Sequence, residues 1–399
     1  MDPLKKVGKE CFPQLREGFV YLDSAATTLK PQCVIDTLTH FYSHEYATIH
    51  RSLYSSAQSA GEKYYQTRIH VQNFLHALYP EEIIFTRGTT HSINVLAKSF
   101  SKAFLTPSEC VIISEIEHHS NIVPWQMAAE ERGYSLLFVR VDDRGEIDLT
   151  HLAELLTKYR VKLVSVAHVS NITGSVQPVK KIVAMAHAAG AYVALDGAQA
   201  VAHIPVDLQT LEVDFYAFSS HKLYGPTGVG ILYGRRELLE QMPPYEGGGD
   251  MIERVTLARS SFAALPHKFE PGTPAIAEVI AFGQAISFVQ EVGYQRLHGH
   301  IEHLRRHAYE RLRSLKVQFV GQSESALISF NVEGVHSLDV ATLLDCRGIA
   351  LRTGHLCSQP AMKRFGITEC ARISFALYTT PQDIDSFAEA LASLVPIHI

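Results

Sequence analysis

One lysine stands in a pattern that suits covalent chemistry with a carbonyl group. Lys222 follows the apolar run D-F-Y-A-F-S at residues 214–219 and precedes the glycine-rich stretch G-P-T-G-V-G. Glycines let a backbone approach a ligand closely, and a lysine at the end of a strand can form a Schiff base with a carbonyl cofactor. An exposed loop lysine explains this motif, taken alone, equally well.

Two further motifs offer groups that such a cofactor would need. Asp196 ends the run Y-V-A-L-D, where a buried carboxylate can pair with a protonated pyridine nitrogen. The motif R-G-T-T at residues 87–90 begins a predicted helix, so backbone N–H groups and the hydroxyls of Thr89 and Thr90 can hold a phosphate. Each motif has an ordinary alternative, a strand-end carboxylate in one case and a threonine helix cap in the other.

A histidine pair completes the set. His118 and His119 lie in E-I-E-H-H-S-N at residues 115–121, again just after an apolar run. An imidazole there can lie on a flat cofactor ring and move protons, although a surface histidine is the ordinary alternative. Four such motifs at the ends of predicted strands indicate one site more specifically than any of them alone.

The elements that carry these motifs predict an α/β fold. Apolar, β-branched runs alternate with helical patterns, and the runs occupy residues 82–86, 110–114, 163–168, 192–196 and 214–219. Continuous apolar strands separated by helices are typical of a mostly parallel sheet with helices on both faces. In such sheets the chemistry sits at the carboxyl ends of the strands, which is where the four motifs lie.

The rest of the chain predicts a smaller C-terminal α+β domain. Residues 243–274 are rich in glycine and proline and are predicted to form a loop, and a helical pattern follows over 277–292. Strand patterns at 326–332 and 372–378 suggest antiparallel pairing. The expected division is a large cofactor-binding domain at 21–265 and a small domain formed by 1–20 and 275–399.

Composition excludes several classes of protein. The chain has 399 residues, of which 46% are hydrophobic and 19% charged, and its net charge is −5. These values predict an ordinary globular protein and argue against a nucleic-acid partner. No apolar run approaches the roughly 18 to 20 residues of a membrane span, and the amino terminus lacks the apolar segment of a signal peptide. We therefore expect a cytoplasmic protein with no membrane partner.

Cysteine and histidine spacing argues against structural metals and disulfides. The six cysteines show no C-x-x-C spacing, and the 21 histidines form no ligand pattern beside a cysteine or carboxylate cluster. Neither a disulfide framework nor a metal site is expected.

Taken together, the motifs resemble one known family. The stretches occur in the order R-G-T-T, E-H-H-S-N-I-V-P-W-Q, H-V-S-N-I-T-G, D-G-A-Q-A, S-S-H-K-L-Y-G-P-T-G and R-T-G-H-L-C-S-Q-P. The chain thus resembles, from about residue 21 to residue 378, the SUF-type (group II) cysteine desulfurases, class V aminotransferases among the fold-type I pyridoxal phosphate enzymes.

The resemblance implies a reaction and a cofactor. With pyridoxal 5'-phosphate, L-cysteine is converted to L-alanine, and the sulfur remains on an enzyme cysteine as a persulfide that supplies iron–sulfur cluster assembly. Selenocysteine lyase, or another pyridoxal phosphate lyase of the same fold, is the alternative, because the cofactor residues would serve all of them.

The resemblance also implies a role for each matching residue. The residues that match the family's cofactor contacts are Thr89, Thr90, His118, Asn171, Asp196, Gln199, Ser219, His221, Lys222 and Thr273. Lys222 is the Schiff-base lysine, Asp196 pairs with the pyridine nitrogen, and Gln199 reaches the phenolic oxygen. His118 stacks on the ring and moves protons, whereas the hydroxyl residues and His221 hold the phosphate. The residues that match its substrate contacts are Asn171, Arg352 and Arg372.

Cys357, in R-T-G-H-L-C-S-Q-P, matches the sulfur acceptor and is expected to be catalytic with Lys222 and His118. Sulfur transfer needs a thiolate, which the nearby Arg352 and His355 can favour. Two departures from the family stand out. Leu356 replaces the second histidine of H-H-C, and His91 stands where an acidic residue is more usual. Leu356 cannot donate a proton, which puts the turnover rate in doubt more than the reaction.

The resemblance further implies two protein partners. A homodimer is expected in which the loop with Gly272 and Thr273 reaches the phosphate of the partner's cofactor, and His50 and Arg51 lie at the same boundary. A small sulfur-acceptor protein of the SUF type is expected to dock near the Cys357 loop, because a persulfide is useful only where another thiol can reach it.

Overall fold

A seven-stranded sheet forms the centre of the computed structural model, which describes residues 8–15, 17–49 and 53–394. The strands of the described chain are β1 (Val20–Tyr21), β2 (Ile83–Thr86), β3 (Cys110–Ser114), β4 (Ser135–Val139), β5 (Val161–Ala167), β6 (Tyr192–Asp196), β7 (Phe215–Ser219), β8 (Gly230–Gly234), β9 (Ile252–Val255), β10 (Ser260–Phe262), β11 (Val317–Phe319), β12 (Leu327–Val332), β13 (Ile349–Ala350), β14 (Arg352–Gly354) and β15 (Cys370–Ser374).

Helices connect these strands. The α-helices of the described chain are α1 (Gln32–His40), α2 (Ser55–Leu75), α3 (Thr89–Phe104), α4 (Val123–Arg132), α5 (Leu149–Lys158), α6 (Val179–Ala188), α7 (Leu208–Leu211), α8 (Arg236–Gln241), α9 (Ile276–Val292), α10 (Tyr294–Arg313), α11 (Ser337–Asp345), α12 (Gln359–Arg364) and α13 (Pro381–Ala392). Among the described residues, none of these helices is long and apolar enough to cross a membrane.

The strand order of the central sheet is β2-β8-β7-β6-β5-β3-β4. Only β8 runs against its neighbours β2 and β7, whereas the pairs from β7 to β4 are all parallel. This topology confirms the predicted α/β fold with a mostly parallel sheet. The carboxyl ends of β2, β3, β5, β6 and β7 therefore meet at one edge.

Each face of the sheet packs into its own apolar core. Along β3, Val111 and Ile113 belong to one core, and Cys110 and Ile112 belong to the other. Successive side chains of a strand point to opposite faces, so both faces are buried. This double burial explains why the strand sequences are continuously apolar rather than alternating.

A second, four-stranded antiparallel sheet has the order β11-β12-β15-β14, and it confirms the predicted α+β part. The amino-terminal segment contacts this half of the chain, since β1 pairs with β13 and Lys9 Nζ lies 2.6 Å from Asp383 Oδ1. The boundaries at residues 21–265 and 275–399 stay a prediction.

The structure contains several strands that the sequence did not predict. Residues 243–274, predicted as loop, include the antiparallel hairpin of β9 and β10, whose tip residue Leu257 is fully exposed. Strands β4 and β8 were not predicted. β4 is a partly exposed edge strand, and β8 begins inside the glycine-rich stretch after Lys222.

Candidate active site

A cavity of about 230 Å³ lies at the carboxyl edge of the parallel strands. The sequence-predicted residues that line it are Thr89, Thr90, His118, Asn171, Asp196, Gln199, Ser219, His221, Lys222, Arg352, Cys357 and Arg372. Thr273 does not line this cavity and is exposed. The fold therefore brings together the predicted groups from the sheet and from the second half of the chain, except Thr273.

Lys222 and Asp196 face the cavity from neighbouring strands. Lys222 ends a short 3₁₀ turn directly after β7 and lines the cavity. Asp196 is the last residue of β6, and its Oδ1 accepts a hydrogen bond of 2.9 Å from Ala198 N. Burial lowers the pKa of Lys222 to about 8, against the opposing charge of Asp196. Burial likewise raises the pKa of Asp196 above its ordinary value. The site thus holds an amine that is readily deprotonated.

The turn that carries Lys222 is held by an amino-terminal segment. Thr28 N donates to the carbonyl oxygen of His221 at 3.0 Å, and Lys30 Nζ donates to the same oxygen at 3.0 Å. The Nδ1 atom of His221 lies 3.2 Å from Thr27 Oγ1. The signal for this role in the sequence is the run S-A-A-T-T-L-K-P at residues 24–31, whose small and hydroxyl residues follow β1.

Hydroxyl groups and a tight glycine turn form a cradle at the start of α3. Ser219 Oγ lies 2.7 Å from both the backbone nitrogen and Oγ1 of Thr89. Gly88 has φ +145°, which L side chains rarely adopt, and a Cβ on Gly230 would lie 2.4 Å from Gly88 Cα. Glycine at both positions lets β8 lie against this turn. Hydroxyls and the first N–H groups of a 16-residue helix suit a phosphate.

His118 is held as a neutral imidazole on the cavity wall. Its Nδ1 accepts a hydrogen bond of 3.1 Å from Ser120 N, so the ring proton is on Nε2. Burial, the charge of Lys222 and other nearby charges lower the pKa of His118 to about 3. Ser120 Oγ lies 2.6 Å from Thr90 Oγ1 and 3.0 Å from His118 Nδ1. Ser120 therefore links the histidine to the cradle at the start of α3.

A buried carboxylate lies next to His118. Glu117 accepts hydrogen bonds from Ser114 Oγ, from Asn121 Nδ2 at 2.7 Å and from Ala167 N at 3.1 Å. Burial raises the pKa of Glu117 to about 7, although these hydrogen bonds oppose the shift. The carboxyl-end rule points to Glu117, which directly follows Ile116 in E-I-E-H-H, but the sequence predicted no role for it.

Two arginines approach the cavity around a shared carboxylate. Asp23 Oδ1 lies 3.6 Å from Arg372 Nη2, and Asp23 Oδ2 lies 3.9 Å from Arg352 Nη1. Arg372 is buried and donates from Nη1 to Asn171 O at 2.9 Å, but its Nε has no hydrogen-bond partner among the described residues. Arg352 is 54% exposed. Arg372 therefore places a guanidinium at the cavity wall, where it suits a substrate carboxylate.

Cys357 lies half-buried in a loop between β14 and α12. Asn171 Nδ2 donates to Leu356 O at 2.9 Å, and Ser358 Oγ donates to Asn171 Oδ1 at 3.2 Å. Within the loop, His355 Nδ1 accepts a hydrogen bond of 3.1 Å from Cys357 N. The side-chain amide of Asn171 is thus engaged with the cysteine loop from both of its ends.

Comparisons with known proteins decide the family. The family model for class-V aminotransferases matches residues 20–387. A probable cysteine desulfurase from Chlamydia muridarum is 46% identical over 395 residues, covering 97% of this chain and 98% of the relative. A cysteine desulfurase from Dickeya dadantii is 43% identical over 397 residues, covering 98% and 96% of the two chains. This chain is a class-V aminotransferase of the cysteine desulfurase family.

Solved structures of cysteine desulfurases share the fold of this family member. The enzyme CsdA from Escherichia coli, in an S-sulfonic acid form, superposes with a TM-score of 0.91 at 37% identity, covering 97% and 98% of the two chains. An apo cysteine desulfurase from Thermococcus onnurineus superposes with a TM-score of 0.94 at 34% identity, covering 98% of both chains.

The position where this desulfurase has a histidine instead of the usual acidic residue lies beside the cradle. His91 Nδ1 accepts a hydrogen bond of 3.2 Å from Arg87 N, and its Nε2 lies 3.5 Å from Glu246 Oε1. Arg87 Nη2 pairs with the same oxygen at 2.8 Å. A carboxylate is therefore present at this place in the fold, supplied by Glu246.

Proposed function

We propose that this desulfurase converts L-cysteine to L-alanine with pyridoxal 5'-phosphate as its cofactor, and that Cys357 receives the sulfur. One observation carries the proposal: Cys357 and Lys222 line the same cavity, although they come from different halves of the chain. Chemistry at the substrate Cα needs the lysine alone. A thiol beside it is needed only where sulfur is transferred, and this favours a desulfurase over a generic lyase of the same fold.

The residues fit the proposed cofactor. Asp196 offers a buried carboxylate whose Oδ2 accepts no hydrogen bond from the described residues, and this oxygen suits a pyridine N–H. The cradle of Thr89 and Ser219 suits the phosphate, and His118 suits the ring face. When bound, the cofactor supplies a carbonyl for the substrate amine and a ring that stabilises negative charge at the substrate Cα.

The chain's own residues then perform binding and proton transfer. Arg372, which lines the cavity, binds the substrate carboxylate through its guanidinium, with Arg352 at the exposed side. Lys222, with a pKa of about 8, removes the proton from Cα. His118, neutral with its proton on Nε2, is the second group that can move protons in the cavity.

Cys357 carries out the sulfur transfer. Its thiolate attacks the substrate sulfur, so an S–S bond forms while the bond between Cβ and sulfur breaks, and that bond's electron pair stays with the three-carbon product. Protons return to the product at Cβ and Cα. L-Cysteine and the enzyme thiol thus give L-alanine and an enzyme persulfide, and atoms and electrons balance without an external oxidant.

Replacement of the thiol tests the proposal. We expect Cys357→Ser to keep the absorbance of the bound cofactor and to change that absorbance on addition of L-cysteine, yet to release at least about a hundredfold less alanine, because a hydroxyl is a poor nucleophile towards sulfur. The matched control is Cys346→Ser, since Cys346 is an exposed free cysteine outside the cavity. Wild-type alanine release from Cys357→Ser would refute the assignment.

Removal of the lysine tests the other half of the site. Lys222→Ala is expected to lose the visible absorbance of the covalently bound cofactor after dialysis without amines, because no other described lysine lines the cavity. A wild-type spectrum in this variant would exclude Lys222 as the cofactor lysine.

A homodimer is part of the proposal. Thr273 is exposed and lies outside the cavity of its own chain, as a residue that reaches a partner's cofactor would. Its loop is anchored, because Glu270 makes two hydrogen bonds of 2.8 Å with the buried Arg68. His50 and Arg51, predicted at the same boundary, lie outside the described residues. Sedimentation of a fully active monomer would contradict the dimer.

We also propose that a small acceptor protein of the SUF type takes the sulfur from Cys357 for cytoplasmic iron–sulfur cluster assembly. Cys357 is half-buried rather than enclosed, so a partner's thiol has access to the persulfide. Alanine release measured with and without a cognate acceptor or a reductant tests this step. Turnover that no acceptor or reductant changes would exclude persulfide clearance as the limiting step.

A further inference from the structure

The loop that carries Cys357 has a backbone that needs support from outside. Leu356 has φ +50° and Cys357 has φ +57°, both in the left-handed region. Residues other than glycine adopt this region rarely, and two in succession are rarer still, because each Cβ crowds its own backbone. Contacts with other parts of the chain must therefore hold the thiol in place.

The turn after β3 supplies two such contacts, both from His119. The backbone nitrogen of His119 donates to Cys357 O at 2.7 Å. Its imidazole Nε2 accepts a hydrogen bond of 3.1 Å from Gln359 N, the first residue of α12. His119 thus contacts the loop at the carbonyl of the cysteine and again two residues later.

We propose that His119 is a positioning residue for Cys357, which it holds at the distance and angle that attack on the substrate sulfur requires. This inference rests on the proposed function, because it assigns the nucleophile to Cys357. His118 lines the cavity, and the next residue, His119, makes two hydrogen bonds with the cysteine loop. The dipeptide His118-His119 therefore fixes the position of Cys357 relative to the cavity wall that would face the cofactor.

The chemistry of the imidazole supports this role. Nε2 accepts a hydrogen bond only when it carries no proton, and both burial and the nearby His355 lower the pKa of His119. The rings of His119 and His355 lie 5.6 Å apart. His355 accepts a hydrogen bond from Cys357 N, but both residues belong to the loop. This hydrogen bond therefore does not connect the loop to the central sheet, as those of His119 do.

Two substitutions at one position separate positioning from folding. His119→Leu removes the acceptor but keeps the backbone hydrogen bond to Cys357, whereas His119→Gln offers a side-chain oxygen to the same N–H of Gln359. The control is His298→Leu, which changes an exposed histidine on α10. Each variant, loaded with pyridoxal 5'-phosphate, is assayed for alanine release and for alkylation of Cys357 by iodoacetamide, followed by peptide mass spectrometry.

We expect His119→Leu to lower kcat for alanine release about fivefold, the usual effect of one lost hydrogen bond, with KM for L-cysteine unchanged. Cys357 should be alkylated faster in this variant, because its loop is released. His119→Gln should restore kcat to within about twofold of the wild type. Wild-type kcat and alkylation in His119→Leu, or no recovery in His119→Gln, would overturn the inference.

The alkylation rates keep this test separate from the proposed function. A wild-type protein that releases no alanine would refute the desulfurase assignment, while the comparison of alkylation rates would still show whether His119 holds the cysteine loop. Equal alkylation in the wild type and His119→Leu would refute the positioning role even in an active desulfurase.

Discussion

The low pKa of Lys222 gives a quantitative prediction for the protein without its cofactor. Burial is the main reason that this pKa falls from 10.5 to about 8, and the charge of Asp196 limits the fall. Asp196→Asn removes that charge while keeping the shape of the side chain. We therefore expect the pKa of Lys222 to lie near 8 in the wild type and lower in Asp196→Asn.

The size of the effect follows from the two pKa values. At pH 7, an amine with a pKa of 8 is ~10% neutral, whereas one with a pKa of 10.5 is ~0.03% neutral, which is a ratio of ~300 in reactive amine. Since only the neutral amine attacks a carbonyl or an anhydride, Lys222 should react far ahead of an ordinary lysine at neutral pH.

Competitive acetylation with trace acetic anhydride measures this directly. The extent of labelling of Lys222 is followed by peptide mass spectrometry from pH 6 to pH 11, with the exposed Lys180 as the internal reference. The midpoint for Lys222 should lie near pH 8. A midpoint near pH 10.5, or an Asp196→Asn midpoint no lower than that of the wild type, would refute the assignment of burial and Asp196 as the opposing causes.

Three further predictions concern buried charges. Arg68→Met leaves Glu270 buried without its partner, so the free energy of unfolding in urea should fall by about 3–5 kcal/mol, and a loss below 1 kcal/mol would contradict this. Arg372→Lys should raise KM for L-cysteine at least about tenfold, because an ammonium cannot replace the guanidinium fork, while the exposed Arg352→Lys should raise it less. The raised pKa of Glu117, about 7, means that the folded protein binds more protons than the unfolded chain between about pH 4.5 and pH 7. The free energy of unfolding should therefore fall as pH rises through this window. When it is measured by urea unfolding at several pH values, it should depend less on pH in Glu117→Gln than in the wild type.

Much of the site could be predicted because its residues follow strands with strong local signals. β3 and β6 were predicted at residues 110–114 and 192–196, since an apolar run buried on both faces differs clearly from its surroundings. The carboxyl-end rule then placed Lys222 and Asp196 together without any knowledge of the sheet order.

The missed features depend on contacts between distant parts of the chain. His119 accepts its hydrogen bond from a residue 240 positions later, and no local pattern distinguishes it from His118. The role of Asp23 could not be predicted, because it depends on β1, which brings Asp23 beside Arg352 and Arg372. β8 was missed because its strand begins within a stretch whose glycines signalled a loop.

The cavity draws its walls from nearly the whole length of the chain, from Ala25 to Arg372. A growing polypeptide therefore cannot complete the site until β15 has been synthesised and has paired with β12. Long sequence separations of this kind slow folding, and the partly formed sheet exposes apolar strands in the meantime. Every residue assigned to the cofactor precedes Cys357 and Arg372 in the sequence, so the ability to bind substrate and transfer sulfur, rather than cofactor colour, would mark a completed chain.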